Sequence, residues 1–171
     1  MVTLNDINLL ILDKDGTIVQ PVEKQKGLRP PNAPHEQKLY PDVLAKLEPY
    51  HKAGIPVALC SNQGGVGFGI MTELDAHLIM QHAATLIEAD YYTVCFTHPK
   101  ARNVSYRVDN DPRRKPNAGM LLEAMAFFNT DKTKTVYVGD SLEDEQAADN
   151  AGVIFLYAHE FFHRSGGKIQ W

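Results

Sequence analysis

The chain has 171 residues, 44% of them hydrophobic, and a formal net charge of −4. That length and apolar content suit one globular domain over residues 1–171 with a full core, while the acidic balance argues against broad binding to a nucleic-acid backbone. No apolar stretch approaches the roughly 20 residues of a membrane span, and the N-terminal MVTLNDIN carries a charge where a signal peptide would have its apolar core. Cys60 and Cys95 each lie in an apolar strand-like run, which suits buried free thiols. A cytoplasmic protein with no membrane partner, monomeric or weakly dimeric, is expected.

Strand-like runs recur at 7–12, 55–60, 91–96, 135–139 and 153–157, with helical patterns between most of them. This alternation predicts an α/β fold, a Rossmann-like doubly wound parallel sheet of about five strands. The first run ends in Asp13-Lys14-Asp15-Gly16-Thr17. Asp13 and Asp15 therefore sit at the carboxyl end of a buried strand, the edge where open α/β sheets hold ligands. Two carboxylates beside a core are costly unless a cation or a proton is shared between them. A plain turn, with Gly16 supplying the positive φ and Thr17 bonding the backbone, fits the same residues.

From Thr17 to Pro41 the chain carries Pro21, Pro30, Pro31 and Pro34 with little apolar periodicity, too long for an ordinary connection. It is expected to form a flap over the strand ends, with no room elsewhere for a large cap domain. A helix follows over Pro41–Ala53, with Val43, Leu44 and Leu47 inward. After the second strand, Ser61, Asn62 and the glycines of Gln63-Gly64-Gly65 offer a hydroxyl, an amide and accessible backbone N–H groups to phosphate oxygens; a glycine turn is the alternative. The next helix starts at a Thr72 cap and buries Leu78, Ile79, Ala83, Leu86 and Ile87.

Residues 100–115 hold six basic side chains against Asp109 and Asp111, a local +4 that leaves −8 on the rest. Such an island suits a small or terminal anionic group, or else forms a solvated loop. It ends in Arg113-Arg114-Lys115-Pro116-Asn117, a fixed positive charge near the start of a helix over 117–128 that turns Met120, Leu121, Ala124 and Met125 inward. After the fourth strand comes Val138-Gly139-Asp140-Ser141-Leu142-Glu143-Asp144, with a last helix over 142–150; Asp140 emerges at the same sheet edge as the first aspartate pair. Each segment alone has a bland explanation as a turn, a cap or a surface lysine. Four such segments converging in one α/β chain point to a catalytic site.

The order DxDGT, Ser-Asn-Gln-Gly-Gly, Lys-Pro-x-x-Gly-Met, Gly-Asp-Ser-x-x-Asp resembles the haloacid dehalogenase superfamily of phosphohydrolases over residues 7 to about 157. It is most similar to the capless branch that holds heptose bisphosphate phosphatase, histidinol phosphatase and the polynucleotide 3′-phosphatases. The resemblance implies a magnesium-dependent phosphomonoesterase acting on a small phosphorylated metabolite, with a nucleic-acid 3′-end as the competing substrate. It assigns Asp13 as nucleophile and Asp15 as general acid/base. Ser61 and Lys115 hold the phosphoryl group, Asn62 and Arg114 lie on the substrate side, and Thr17 and Asp144 are supporting residues. The Mg²⁺ ligands are Asp13, Asp15 through its carbonyl, and Asp140.

One departure concerns metal. Heptose-type members often carry a zinc site of a Cys-x-His and a Cys-x-Cys pair, but here Cys95 is followed by Thr97, and Asp111 and Arg113 occupy the second pair. No zinc is expected, and the loop must be held another way; His98 is expected to be a loop hydrogen-bonder. A competing signal is His159-Glu160-Phe161-Phe162-His163, an HExxH of the zinc-peptidase type that Gly166 extends, with Ile169 where a third ligand would stand. Because it follows the last strand, a short terminal helix is expected instead, with Phe161 and Phe162, aided by Trp171, packing on the sheet.

Overall fold

The computed structural model describes residues 4–25 and 27–165. The expectations for Gly166, Ile169 and Trp171 lie outside the described residues. Strand β1 (Leu9–Leu12) is the centre of a five-stranded sheet in which every pairing is parallel. On one side lie β4 (Val57–Asn62) and β5 (Tyr91–Cys95), on the other β6 (Thr135–Gly139) and β7 (Ile154–Tyr157). The order β5-β4-β1-β6-β7 reverses direction at β1, so the carboxyl end of β1 opens onto the crevice of the doubly wound fold.

Period-two alternation gives the sheet two cores. Leu10 and Leu12 face helices α1 (Val43–Lys52), α2 (Glu73–Leu86) and the short α5 (Ala158–Phe161). Leu9 and Ile11 face α3 (Gly119–Phe127) and α4 (Leu142–Ala151). The second strand starts two residues later than its apolar run, because Pro56 has no N–H for the ladder, and it continues through Ser61 and Asn62. These two polar side chains thus extend from regular strand rather than from a loose turn.

Two helix faces differ from expectation. Val43 and Leu47 are fully buried but Leu44 is 55% exposed, since in a ten-residue helix the inward stripe is the i, i+4 pair and Leu44 lies a third of a turn away. In α2 the stripe is Ala76, Ile79, Met80, Ala83 and Ala84; Leu78 is exposed. Thr72 does cap α2, and Met120, Leu121, Ala124 and Met125 of α3 are all buried. In α4, Ser141 and Asp144 form a reciprocal capping box. Gly139 allows that helix its close approach, because a Cβ there would lie 2.4 Å from the Cβ of Asp144.

The segment between β1 and α1 is a flap, as expected. Its tip is a hairpin of β2 (Val22–Glu23) and β3 (Leu28–Arg29). Its stems run together, with Gln20 N donating to Lys38 O at 2.8 Å and Tyr40 N to Ile18 O at 3.0 Å. The Arg29 guanidinium donates to both carboxylate oxygens of Glu36 at 2.7 and 2.5 Å, which pulls that carboxyl down to about 2. At its far end Gln37 Nε2 donates to Ile79 O of α2 at 3.0 Å.

The HExxH stretch does not form the continuous helix a zinc peptidase needs. Helix α5 ends at Phe161, and His163 has φ 56°, so the two histidines do not stack at i, i+4 on one face. Phe161 and Phe162 are buried in the core instead, as expected for a terminal packing element. Cys60 and Cys95 are buried free thiols, and no described helix is long and apolar enough to cross a membrane.

Candidate active site

A cavity of about 450 Å³ opens at the carboxyl edge of the sheet, lined by Asp13, Asp15, Ser61, Asn62, Arg114, Lys115, Asp140 and Asp144, with Pro30 of the flap above it. The structure therefore brings together every candidate from four separate segments. Its centre is Lys115, 4% exposed, whose Nζ donates to Asp13 Oδ1 and Asp144 Oδ1, both at 2.6 Å, and to Tyr137 Oη at 3.0 Å. The local fold delivers it: Asn62 holds the Lys115 backbone from both sides, its Nδ2 donating to Lys115 O at 3.0 Å and its Oδ1 accepting from Lys115 N at 3.1 Å.

Asp13 is clamped between Lys115 on Oδ1 and the Thr17 hydroxyl, which donates to Oδ2 at 3.1 Å. Gly16, at φ 83°, makes the turn that returns Thr17 to it. Burial still dominates: it pushes the Asp13 carboxyl from 3.8 up to about 7, with Lys115 pulling the other way and Asp144 and Asp15 adding to the rise. Burial likewise opposes the charged form of Lys115, but Asp13 and Asp144 overcome it and hold the ammonium firmly protonated.

Asp144 has all its oxygens engaged. Oδ1 accepts from Lys115 and from the Tyr137 hydroxyl at 2.6 Å, and Oδ2 accepts from Ser141 N at 3.1 Å and Ser141 Oγ at 2.6 Å. Burial would raise its carboxyl, yet Lys115 and these donors keep it below the usual range. Asp15 contacts Lys14 Nζ and accepts from Gln63 Nε2 at 2.8 Å; the same amide donates to Ser61 Oγ at 2.9 Å.

Carboxylate oxygens of Asp13, Asp140 and Asp144 lie within 4.8 Å of one another. Counting Asp15 with its Lys14 partner, four carboxylates meet two ammonium groups, so negative charge is in excess and the donor set fits a hard divalent cation with oxygen ligands. With Asp144 committed to four donors, Asp13 and Asp140 are the oxygens best disposed to hold it.

The zinc-type positions behave as a hydrogen-bonded latch. Asp111 Oδ2 accepts from Thr97 Oγ1 at 2.8 Å and from the Cys95 thiol at 3.8 Å, and Asp111 Oδ1 accepts from Arg113 N at 2.8 Å. Arg113 itself turns to Glu123 and Thr93. The basic island is thus not one patch: Arg107 binds backbone carbonyls, Lys115 is buried, and Arg114 alone of the arginines lines the cavity, its Nη1 donating to Thr97 O at 2.7 Å. His98 accepts from Lys100 N at 2.9 Å, a loop hydrogen-bonder as expected.

Three contributors escaped the sequence reading: Tyr137, Gln63 and Lys14. Gln63 stands inside a motif already singled out. Tyr137 had one available signal, a hydroxyl-bearing residue alternating with valines just before Gly139-Asp140.

A profile of the haloacid dehalogenase-like hydrolases matches residues 25–158. The chain belongs to that family. A D-glycero-beta-D-manno-heptose-1,7-bisphosphate 7-phosphatase of Mesorhizobium japonicum is 31% identical over 149 residues, covering 84% of this chain and 65% of the relative. One from Neisseria meningitidis serogroup A is 31% identical, covering 85% and 74%. The chain spans 65% and 61% of the first two curated relatives it matches, just under two thirds of each. The crystal structure of D,D-heptose 1,7-bisphosphate phosphatase from B. bronchiseptica, complexed with magnesium and phosphate, superposes with a TM-score of 0.71 at 26% identity, covering 87% of this chain and 79% of that one. The parallel five-stranded sheet is the fold the chain shares with these hydrolase structures.

Proposed function

We propose that this hydrolase is a phosphomonoesterase that works through an aspartyl phosphate on a small phosphorylated metabolite of the sugar-phosphate type. The observation that carries the reading is Asp13, held between Lys115 and Thr17 in the wall of a cavity whose other walls offer Ser61, Asn62, Arg114 and Asp140. The Asp13 carboxylate attacks phosphorus in line, the bond to the leaving oxygen breaks, and Asp15 gives that oxygen its proton. Asp15 then takes a proton from water, whose oxygen attacks phosphorus and frees Asp13 and inorganic phosphate. Lys115 and Ser61 hold the phosphoryl oxygens, and Arg114 faces the leaving group. Magnesium, held by Asp13, Asp140 and the Asp15 carbonyl, supplies charge neutralisation at the phosphoryl oxygens when bound.

Dispersal of the basic island leaves little to track a nucleic-acid backbone, so a small substrate is favoured over a polynucleotide end. The test is kcat/KM over sugar phosphates, histidinol phosphate and 3′-phosphorylated oligonucleotides, with Mg²⁺ and with chelator. Turnover is expected on a small ester, dependent on Mg²⁺, and is expected to vanish in Asp13→Asn with the fold intact. Near-normal turnover in Asp13→Asn would overturn the assignment.

A further inference from the structure

The segment that spells the peptidase motif is followed by Arg164, whose contacts the proposed chemistry does not use. Its guanidinium donates to Asp42 through Nε at 2.8 Å and Nη2 at 2.9 Å, and to the Thr17 carbonyl through Nη1 at 2.8 Å. Its Cζ lies 3.9 Å from the centroid of the Tyr40 ring and 4.3 Å from that of Phe162. Thr17 is the residue at which the chain leaves the Asp13 turn to enter the flap, and Tyr40 and Asp42 are where it returns to α1. All three guanidinium nitrogens and the Tyr40 contact are therefore spent on the two ends of one insertion, while Phe162 packs on the guanidinium from the C-terminal element.

We propose that Arg164 is a positioning residue that clamps the base of the flap and, through Thr17, fixes the Asp13 carboxylate. The proposal rests on the phosphatase reading for its kinetic arm and on geometry alone for its structural arm. Backbone pairing of Gln20 with Lys38 and of Tyr40 with Ile18 already joins the stems above this point. Arg164 adds what that pairing lacks, a tie from the stems to the C-terminal element, and it seats Thr17, whose hydroxyl donates to Asp13 Oδ2. The planar fork is needed for this: a lysine has one ammonium and cannot serve a bidentate carboxylate, a carbonyl and two ring faces together. In this arrangement the aromatic residues of HEFFH make a seat for an arginine, with Phe162 stacking on it and Phe161 anchored in the core.

The test compares Arg164→Met, Arg164→Lys and Asp42→Asn with the unaltered chain by limited trypsin digestion, thermal unfolding and steady-state kinetics on a small phosphate ester with Mg²⁺. Lys24 and Lys38 of the flap are exposed and report its opening. Arg164→Met is expected to speed cleavage after these residues at least tenfold while sites elsewhere stay protected, to raise KM, and to lower kcat several-fold. Arg164→Lys is expected to behave similarly, and Asp42→Asn to fall between. Thr17→Val, which removes only the hydroxyl, is expected to lower kcat with flap cleavage unchanged. A residue serving stability alone would lower Tm and expose sites throughout the chain alike. Flap cleavage within twofold of the unaltered chain in both Arg164 variants overturns the clamp. If the unaltered chain hydrolyses no phosphate ester, digestion still decides the clamp while the phosphatase reading fails separately.

Discussion

The Lys115 ammonium lies 2.6 Å from each of two carboxylates, Asp13 and Asp144, and 3.0 Å from the Tyr137 hydroxyl. Removing it would strand two buried carboxylates, and breaking a buried pair this way typically costs about 3–5 kcal/mol. Tyr137 tests the same cluster more gently. Its hydroxyl donates to Asp144 Oδ1 at 2.6 Å, so Tyr137→Phe takes one donor from a buried charge while Lys115 and Ser141 stay in place. A loss of about 1–3 kcal/mol is expected by thermal or denaturant unfolding. Turnover should fall roughly tenfold or less, since Lys115 keeps its charge and loses only part of its orientation. A variant as inactive as Lys115→Met would mean that the hydroxyl itself touches the reacting group. The signal Tyr137 gave in the sequence did not suffice, because a strand residue shows its side chain to one face or the other only once the register is known. Val136 and Val138 face one core and Tyr137 the other, and it is the Lys115 loop, from 22 residues upstream, that gives its hydroxyl a partner.

At the level of elements, the residues most legible in the sequence were those adjoining a strand end. Asp13, Ser61, Asn62 and Asp140 had nowhere to point but the carboxyl edge, whatever the helices did. Helix faces were less legible: Leu44 and Leu78 are exposed because a leucine's place on a helix depends on which stripe tertiary packing selects. How the 96–118 loop is held together was legible only in the negative, as a loop without zinc ligands, although Arg114 and Lys115 within it were singled out. What replaces the metal is Asp111, which accepts from Thr97, the Cys95 thiol and Arg113 N. Burial acts to raise its carboxyl, but the Arg113 amide and Thr97 hydroxyl outweigh it and hold the group below the usual range. Asp111→Ala should therefore loosen the loop and release the Thr97 carbonyl that orients Arg114. KM is expected to rise several-fold with kcat little changed, because the phosphatase reading proposed above puts Arg114 beside the leaving group rather than phosphorus. An unchanged KM would show that Arg114 is oriented without this latch.

For the whole molecule, the excess of buried negative charge links stability to pH and to metal. Burial lifts the Asp13 carboxyl to about 7 in the folded protein, against an ordinary value of 3.8. Below about pH 3.8 folded and unfolded chains both hold this proton, and the group contributes nothing to the difference between them. Between about 3.8 and 7 the unfolded chain releases the proton while the folded chain retains it. Stability from this group therefore falls as pH rises through that window and is level above it. A divalent cation needs the ionised carboxylate, so below about pH 7 its binding must expel that proton. Mg²⁺ affinity should accordingly rise by up to tenfold per pH unit from about pH 5 to 7 and flatten above. The increase in Tm on adding saturating Mg²⁺ should grow over the same range. Calorimetric titration in two buffers of different ionisation enthalpy, at pH 6 and pH 8, checks both sides: about one proton released per Mg²⁺ at the lower pH and close to none at the higher. Asp13→Asn has no proton to release, so any pH dependence of Mg²⁺ binding that survives in that variant belongs to another ligand, with Asp140 the first to test.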